Sequence, residues 1–244
     1  MQMSDDELRV AAAEELDWDP RIDSNAITVS ATGGVVTLRG TVGSYAEKCD
    51  ARQDVLRLRG VVSVEDELDV ELYDEFRGRD DTELCNTVLQ ALRLNILVPS
   101  TVAARAHDGW VTLTGTATTQ FQRAEAEHVT QRLRGVRGIT NDITLVPFGP
   151  STGDLAPAIT KAMHRCARLD ASRIEVTSAS GTVTLRGTVS TWADHDDALT
   201  AAWNAPAVVH VVDDILVTWA DPPPHLLAGH TDTEREECPD GLHG

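Results

Sequence analysis

Apolar residues along the chain follow two alternating periods, and the alternation occurs three times. Leu8, Ala11, Ala12 and Leu16 fall at helical spacing behind Ser4-x-x-Glu7. Leu84, Val88, Ala91 and Leu92 do so behind Asp80-x-x-Glu83, and Leu155, Ile159, Ala162, Met163 and Cys166 behind Ser151-x-x-Asp154. An oxygen at the N-cap and an acid three residues on satisfy orphan backbone donors, while the spacing lines one helix face. Period-two segments follow each helix. Ile27 and Val29 alternate with Thr28 and Ser30, then Gly33-Gly34 turns into Val36-x-Leu38. The second copy runs Val102 to Ala104, Asp108-Gly109 and Val111-x-Leu113; the third runs Ile174-x-Val176, Ser180-Gly181 and Val183-x-Leu185. Alternation marks half-buried strands, and glycine supplies the positive φ of a tight hairpin turn. Three antiparallel hairpins are predicted.

A second capped helix comes next, behind Ser44-x-x-Glu47, Thr119-x-x-Gln122 and Thr191-x-x-Asp194. Leu58-Arg59-Gly60 and Leu133-Arg134-Gly135 place Gly60 and Gly135 as the glycines just past the helix ends. In the third copy Pro206 is expected to stop the helix. A last alternating strand then carries Val62, Val64, Leu68 and Val70, with Ile139, Ile143 and Leu145 in the second copy and Val209, Val211, Ile215 and Val217 in the third.

The order α-β-β-α-β contains a helical crossover between its second and third strands. The predicted class is therefore α+β: three tandem small αββαβ domains, each a three-stranded mixed sheet with two helices on one face. The expected boundaries are 1–75, 76–147 and 148–220, followed by a disordered acidic tail over 221–244. Short linkers, from Tyr73 to Asp80 and over Pro147-Phe148-Gly149-Pro150, predict a compact or bent array.

The octapeptide from Gly34 to Thr41, with the glycine pair Gly34 and Gly40, recurs with Gly109 and Gly115 and again with Gly181 and Gly187. These glycines are expected to serve the fold rather than catalysis. Three copies of G-x-V-T-L-x-G-x-V in this element order, with Leu-Arg-Gly-Val at 58–61 and 133–136, resemble the BON domain family. The resemblance implies non-enzymatic modules found in osmotic-shock and envelope proteins, with phospholipid association in some members. It looks most like the cytoplasmic three-copy type.

Composition narrows the partners. Acidic residues number 39 against 21 Lys and Arg, a formal net charge of -18. That balance excludes counterion-driven capture of nucleic acid and a polybasic membrane patch. No apolar run is long enough for a transmembrane helix, and the acidic start lacks a signal-peptide pattern, so a cytoplasmic protein, at most peripheral to a membrane, is expected. Cys49, Cys85, Cys166 and Cys238 form no metal spacing and are expected to be free thiols.

Catalytic motifs are missing, and no cofactor, metal or catalytic residue is expected. Asp194-His195-Asp196-Asp197 resembles a metal or acid–base cluster. Consecutive helical residues point in different directions, however, and Asp194, His195 and Asp197 are expected to have no equivalents at matching places in both other copies. Together with His225, His230, Cys238 and His243 in the tail, it forms the alternative reading, a metal-binding or hydrolytic protein. The candidates for interaction are aromatic. Trp110 should lie on the sheet face away from the helices, while Trp192 and Trp203 are either a membrane wedge or a core wall. Glu65, Glu67, Asp69 and Glu71 form an acidic stripe suited to a basic protein partner. A non-enzymatic, stress-associated binding protein is the reading, with a protein partner ahead of lipid. Any lipid contact must be local and partly apolar.

Overall fold

In a computed structural model of the chain, residues 3–72, 80–146, 154–166 and 170–218 are described. Unit 1 contains α1 (Asp5–Trp18), β1 (Ile27–Thr32), β2 (Val35–Val42), α2 (Tyr45–Leu56) and β3 (Ser63–Val70). Unit 2 repeats the order as α3 (Asp81–Leu94), β4 (Ala103–His107), β5 (Trp110–Ala117), α4 (Gln120–Gln131) and β6 (Gly138–Leu145). Unit 3 follows with α5 (Ala156–Met163), β7 (Ile174–Ala179), β8 (Thr182–Val189), α6 (Trp192–Trp203) and β9 (His210–Val217). The architecture is α+β, with three separate three-stranded sheets. The proposed tail, both linker centres and Ser151 lie outside the described residues.

In each sheet the second strand is central. It pairs antiparallel with the first strand and parallel with the third, as a helical crossover requires. Val36, Leu38 and Val42 turn inward against Leu8, Ala12 and Leu16 of α1 and Ala51 and Val55 of α2. Corresponding cores form around Val111 and Leu113 in unit 2 and Val183 and Leu185 in unit 3. The opposite sheet face is left open.

Local chemistry explains the element ends. Ser4 and Glu7 make a complete capping box at α1. Ser44, Thr119 and Thr191 each accept an amide from the residue three positions on. Unit 3 departs from the pattern at its start. Helix α5 begins only at Ala156, with Leu155 as an N-cap lacking a side-chain bond, while Asp154 accepts from the Ala156 amide and the Ser178 hydroxyl. The expected stripe is therefore shorter, and Cys166 lies beyond the helix end at Met163.

The second helices correct two further expectations. α2, α4 and α6 end at Leu56, Gln131 and Trp203, which occupy the same place counted from the N-cap. Pro206 does not set the stop, because α2 and α4 end there without a proline. Gly60 and Gly135 lie in the turn beyond the caps Arg57 and Arg132 rather than directly after the helix. Their φ values are +99° and +94°, and Ala207 takes the same turn at +64°. The turn, not the helix end, requires the left-handed residue.

Gly40, Gly115 and Gly187 serve a closer contact. The chain leading into the first strand passes directly over the second, so a Cβ on Gly40 would lie 2.0 Å from the Ala26 carbonyl oxygen. The matching distances are 2.3 Å at Gly115, to Thr101, and 2.0 Å at Gly187, to Arg173. Backbone cannot swing aside as a flexible side chain can. Gly40→Ala should cost about 3 kcal/mol or more in urea unfolding. Gly33→Ala, where φ is +59° and nothing lies within 4 Å, should cost only about 1 kcal/mol. Equal losses at the two positions would contradict this account.

Candidate interaction surfaces

Polar contacts at one shared place join the second helix of each unit to its third strand. Lys48 on α2 lies 3.3 Å from Asp66 on β3. At the matching places, Asn141 on β6 donates to the Arg123 carbonyl at 3.1 Å, and His195 Nε2 on α6 lies 2.8 Å from Asp213 Oδ2 on β9. Each strand residue also accepts the amide two residues ahead, from Leu68, Ile143 and Ile215. The Asp194–Asp197 cluster thus has counterparts after all, in Glu47, Lys48 and Asp50 and in Gln122, Arg123 and Glu125. Matching the units through their N-caps reveals them; the strand partner, far along the chain, gave no linear signal.

The cluster itself has no common centre. Asp194 accepts from the Thr191 hydroxyl at the helix cap, and Asp197 lies against the Cys166 thiol at 3.2 Å. Asp196 stands at the surface. His195 is buried, with Trp192 edge-on to its ring at 4.7 Å. Burial alone would lower its pKa, but the Asp196 and Asp213 carboxylates outweigh that effect and hold the imidazole above its ordinary value.

Asp81, His107 and Asp108 also approach one another, within 4.8 Å. Both Asp81 oxygens are already occupied by the turn amides of Asp108 and Gly109, at 2.7 and 3.0 Å. The group is a pinned hairpin turn rather than a ligand set. Cys49, Cys85 and Cys166 are free thiols, with burial raising that of Cys49. Cys238, His225, His230 and His243 lie outside the described residues. A cavity of about 440 Å³ between α5 and α6 is lined mainly by small apolar groups, among them Ala158, Ala162, Ala201 and Ala205.

The three tryptophan candidates separate. Trp110 lies on the open sheet face, half exposed, with its ring over Gly138, where a Cβ would come within 2.4 Å. Its Nε1 donates to Thr140 at 2.8 Å. Trp192 packs on the unit 3 core, and Trp203 packs on the cores of both units 2 and 3. Neither is a free wedge. The acidic stripe is partly tied down, since Arg39 pairs with Glu67 and Thr37 donates to Glu65.

The apolar surface lies elsewhere. Leu94, Ile96 and Leu97, at and after the end of α3, are 78%, 96% and 44% exposed. Asn95 between them donates to Glu125, which holds this loop against α4 one turn from the exposed Phe121. Trp18 occupies the place of Leu94 at the end of α1 and is 85% exposed. Trp18 and Leu94 are the last residues of α1 and α3, and Ile96 and Leu97 lie past the helix end, so none belongs to a buried helical stripe.

The sequence model of the BON domain matches residues 4–71, 80–147 and 151–218. The chain belongs to the BON domain family. Over 126 residues it is 33% identical to osmotically-inducible protein Y of Escherichia coli (strain K12), an overlap of 50% of this chain and 63% of that protein. The chain thus spans less than two thirds of that relative's length. Among solved structures, CdsD of Chlamydia trachomatis, titled a structural protein of the type III secretion system, aligns at 14% identity. The alignment covers 88% of this chain and 93% of that one, with a TM-score of 0.23. Its C-terminal domain gives 15% identity, 88% and 100% coverage and the same TM-score. Overlap so low carries no structural argument.

Within this BON array unit 3 places a histidine in the helix–strand seam, where unit 1 has Lys48 and unit 2 has Asn141 bonded to the Arg123 carbonyl and to Glu127. The unfolded imidazole titrates near 6.5 and the folded one higher. The charged pair therefore contributes fully below the unfolded value, and its contribution disappears as pH rises through the folded value. Unit 3 should lose urea resistance as pH rises above about 6.5. His195→Lys should flatten that slope, and a slope that survives the substitution would assign it to another group.

Proposed function

We propose that this BON protein is a non-catalytic, stress-associated binding protein that docks peripherally on phospholipid through the apolar end of its second unit. The observation that carries the proposal is the exposed set Leu94, Ile96 and Leu97, with Phe121 beside it and Trp18 at the equivalent end of unit 1. Large apolar side chains at a helix end are costly in water and favourable at a headgroup boundary. No helix among the described residues is long and apolar enough to cross a membrane, so contact of this kind would be superficial. Arg93, in the last turn of α3, would supply a cation for a headgroup phosphate beside them.

The stress association rests on family membership and on similarity to osmotically-inducible protein Y. A cytoplasmic location belongs to the same proposal. The charge of -18 means that attraction to anionic lipid cannot be general. A protein partner is the second reading, favoured by the exposed carboxylates of Glu65, Glu67 and Asp69 on the unit 1 sheet.

Vesicle flotation tests the membrane reading. The protein should float with phosphatidylglycerol-containing vesicles and change little with added salt. The double variant Ile96→Asp, Leu97→Asp should reduce the bound fraction about fivefold or more, and its circular dichroism should be unchanged. Failure of the wild type to float with any vesicle would transfer the apolar end to a protein partner. Binding that collapses with salt would replace the apolar mechanism with an electrostatic one.

A further inference from the structure

The contacts between units repeat. Counted from the N-caps of the second helices, Ser44, Thr119 and Thr191, the positions of Tyr45, Gln120 and Trp192 coincide. So do those of Arg52, Glu127 and Leu199; Leu56, Gln131 and Trp203; Val62, Arg137 and Val209; and Val70, Leu145 and Val217.

At the first junction Tyr45 packs on the unit 2 core. Glu127 of unit 2 lies close enough to raise the pKa values of both Tyr45 and Cys49, behind their burial. Arg137 of unit 2 reaches the Val70 carbonyl of unit 1 at 3.4 Å. At the second junction Trp203 and Val209 of unit 3 pack on the unit 2 core, and the Arg123 guanidinium stands 5.6 Å over the Trp203 ring. The start of one unit's second helix therefore meets the far end of the next unit's second helix and the lead-in to its last strand. The same head-to-tail relation is used twice.

A head-to-tail interface is heterologous: each use leaves one face of each kind open. Among the described residues no other unit packs on the head of unit 3, which carries Trp192, Asp196 and the end of β9. Trp192 Nε1 is buried there without a hydrogen-bond partner among the described residues. Asp196 is 73% exposed, whereas Cys49 at the same position in unit 1 is partly covered. Among the described residues no other unit packs on the tail of unit 1, which carries Leu56, Val62 and the exposed Arg52 and Arg59. The head is acidic and the tail basic. Cys49 lies near Glu127 at the first junction, so the same relation would bring Asp196 near Arg52 of another chain.

We infer that a second copy of this chain occupies the head face of unit 3 with the tail face of its unit 1, building head-to-tail oligomers. This interface is separate from the apolar end at Ile96 and does not rest on the membrane reading. The two faces combine an aromatic and aliphatic centre with oppositely charged edges, and the relation is already sampled twice within one chain.

Light scattering on the full chain from micromolar to submillimolar concentrations, at moderate salt to screen the net charge, provides the test. The wild type should grow in mass with concentration. Arg52→Glu and Asp196→Arg alone should each weaken association about tenfold or more, because each sets like charges against each other. An equimolar mixture of the two variants should associate again, since each then meets an oppositely charged partner face. Circular dichroism should be unchanged in both variants. A monomeric wild type, unaffected single variants, or a mixture that stays monomeric would each overturn the inference.

Discussion

The approach of one backbone stretch to another within 2.0–2.3 Å of a missing side chain is the constraint on which each unit depends. The lead-in to the first strand crosses the second strand at Gly40, Gly115 or Gly187, and that crossing seats the edge strand. A unit of about 70 residues has little apolar surface to bury, so small misplacements of either helix are costly. The glycine acts through geometry: it lets the Ala26–Ile27 backbone lie directly on the strand that carries Leu38 into the core with Leu8, Leu16 and Val55.

Much of this was legible in the sequence because period, cap and turn agree locally in all three copies. Strands two and three could be placed from Val36-x-Leu38 and Leu68-x-Val70, and the hairpin turns from Gly33-Gly34, Asp108-Gly109 and Ser180-Gly181, all with positive φ at both positions. Errors arose where a nonlocal contact decides. Asp154 looks like an N3 acid but is drawn to Ser178 across the unit, so α5 starts late. Pro206 looks like a stop signal, yet the turn shared with Gly60 and Gly135 already ends the helix. Trp192 and Trp203 share an exposed-looking helix, but one closes a core and the other a junction.

The candidate surfaces were less legible for a related reason. Amphipathic analysis finds side chains that a helix must bury, and residues past a helix end fall outside that pattern. Ile96 follows the α3 cap, and its neighbour Val98 is buried, so a short apolar run contains both a core residue and the most exposed aliphatic side chain described. Nothing in the run itself separates them. The separation comes from Asn95, whose bonds to α4 and to the Leu97 amide fix which side of the loop faces inward.

Repetition also changes how polar positions are read. A lone His195 beside three aspartates invites a catalytic or metal interpretation. Set beside Lys48 and Arg123, it is the third residue at one helix position facing the helix–strand seam, where Lys48 and His195 meet strand carboxylates through their side chains and Arg123 offers its backbone carbonyl to Asn141. The series fixes the role as attachment of the second helix to the last strand, and the variation within it sets how each junction behaves. Arg123 is long enough to leave the seam and cover Trp203 of the next unit, whereas His195 is short and stays with Asp213. At the same face, Cys49 is partly buried while Asp196 is largely exposed. An acid is compatible with an exposed end and costly in an apolar junction unless a cation meets it. The residue types at the two outer faces are therefore those of an edge that stays soluble alone and accepts a basic surface, such as the one unit 1 presents at Arg52 and Arg59.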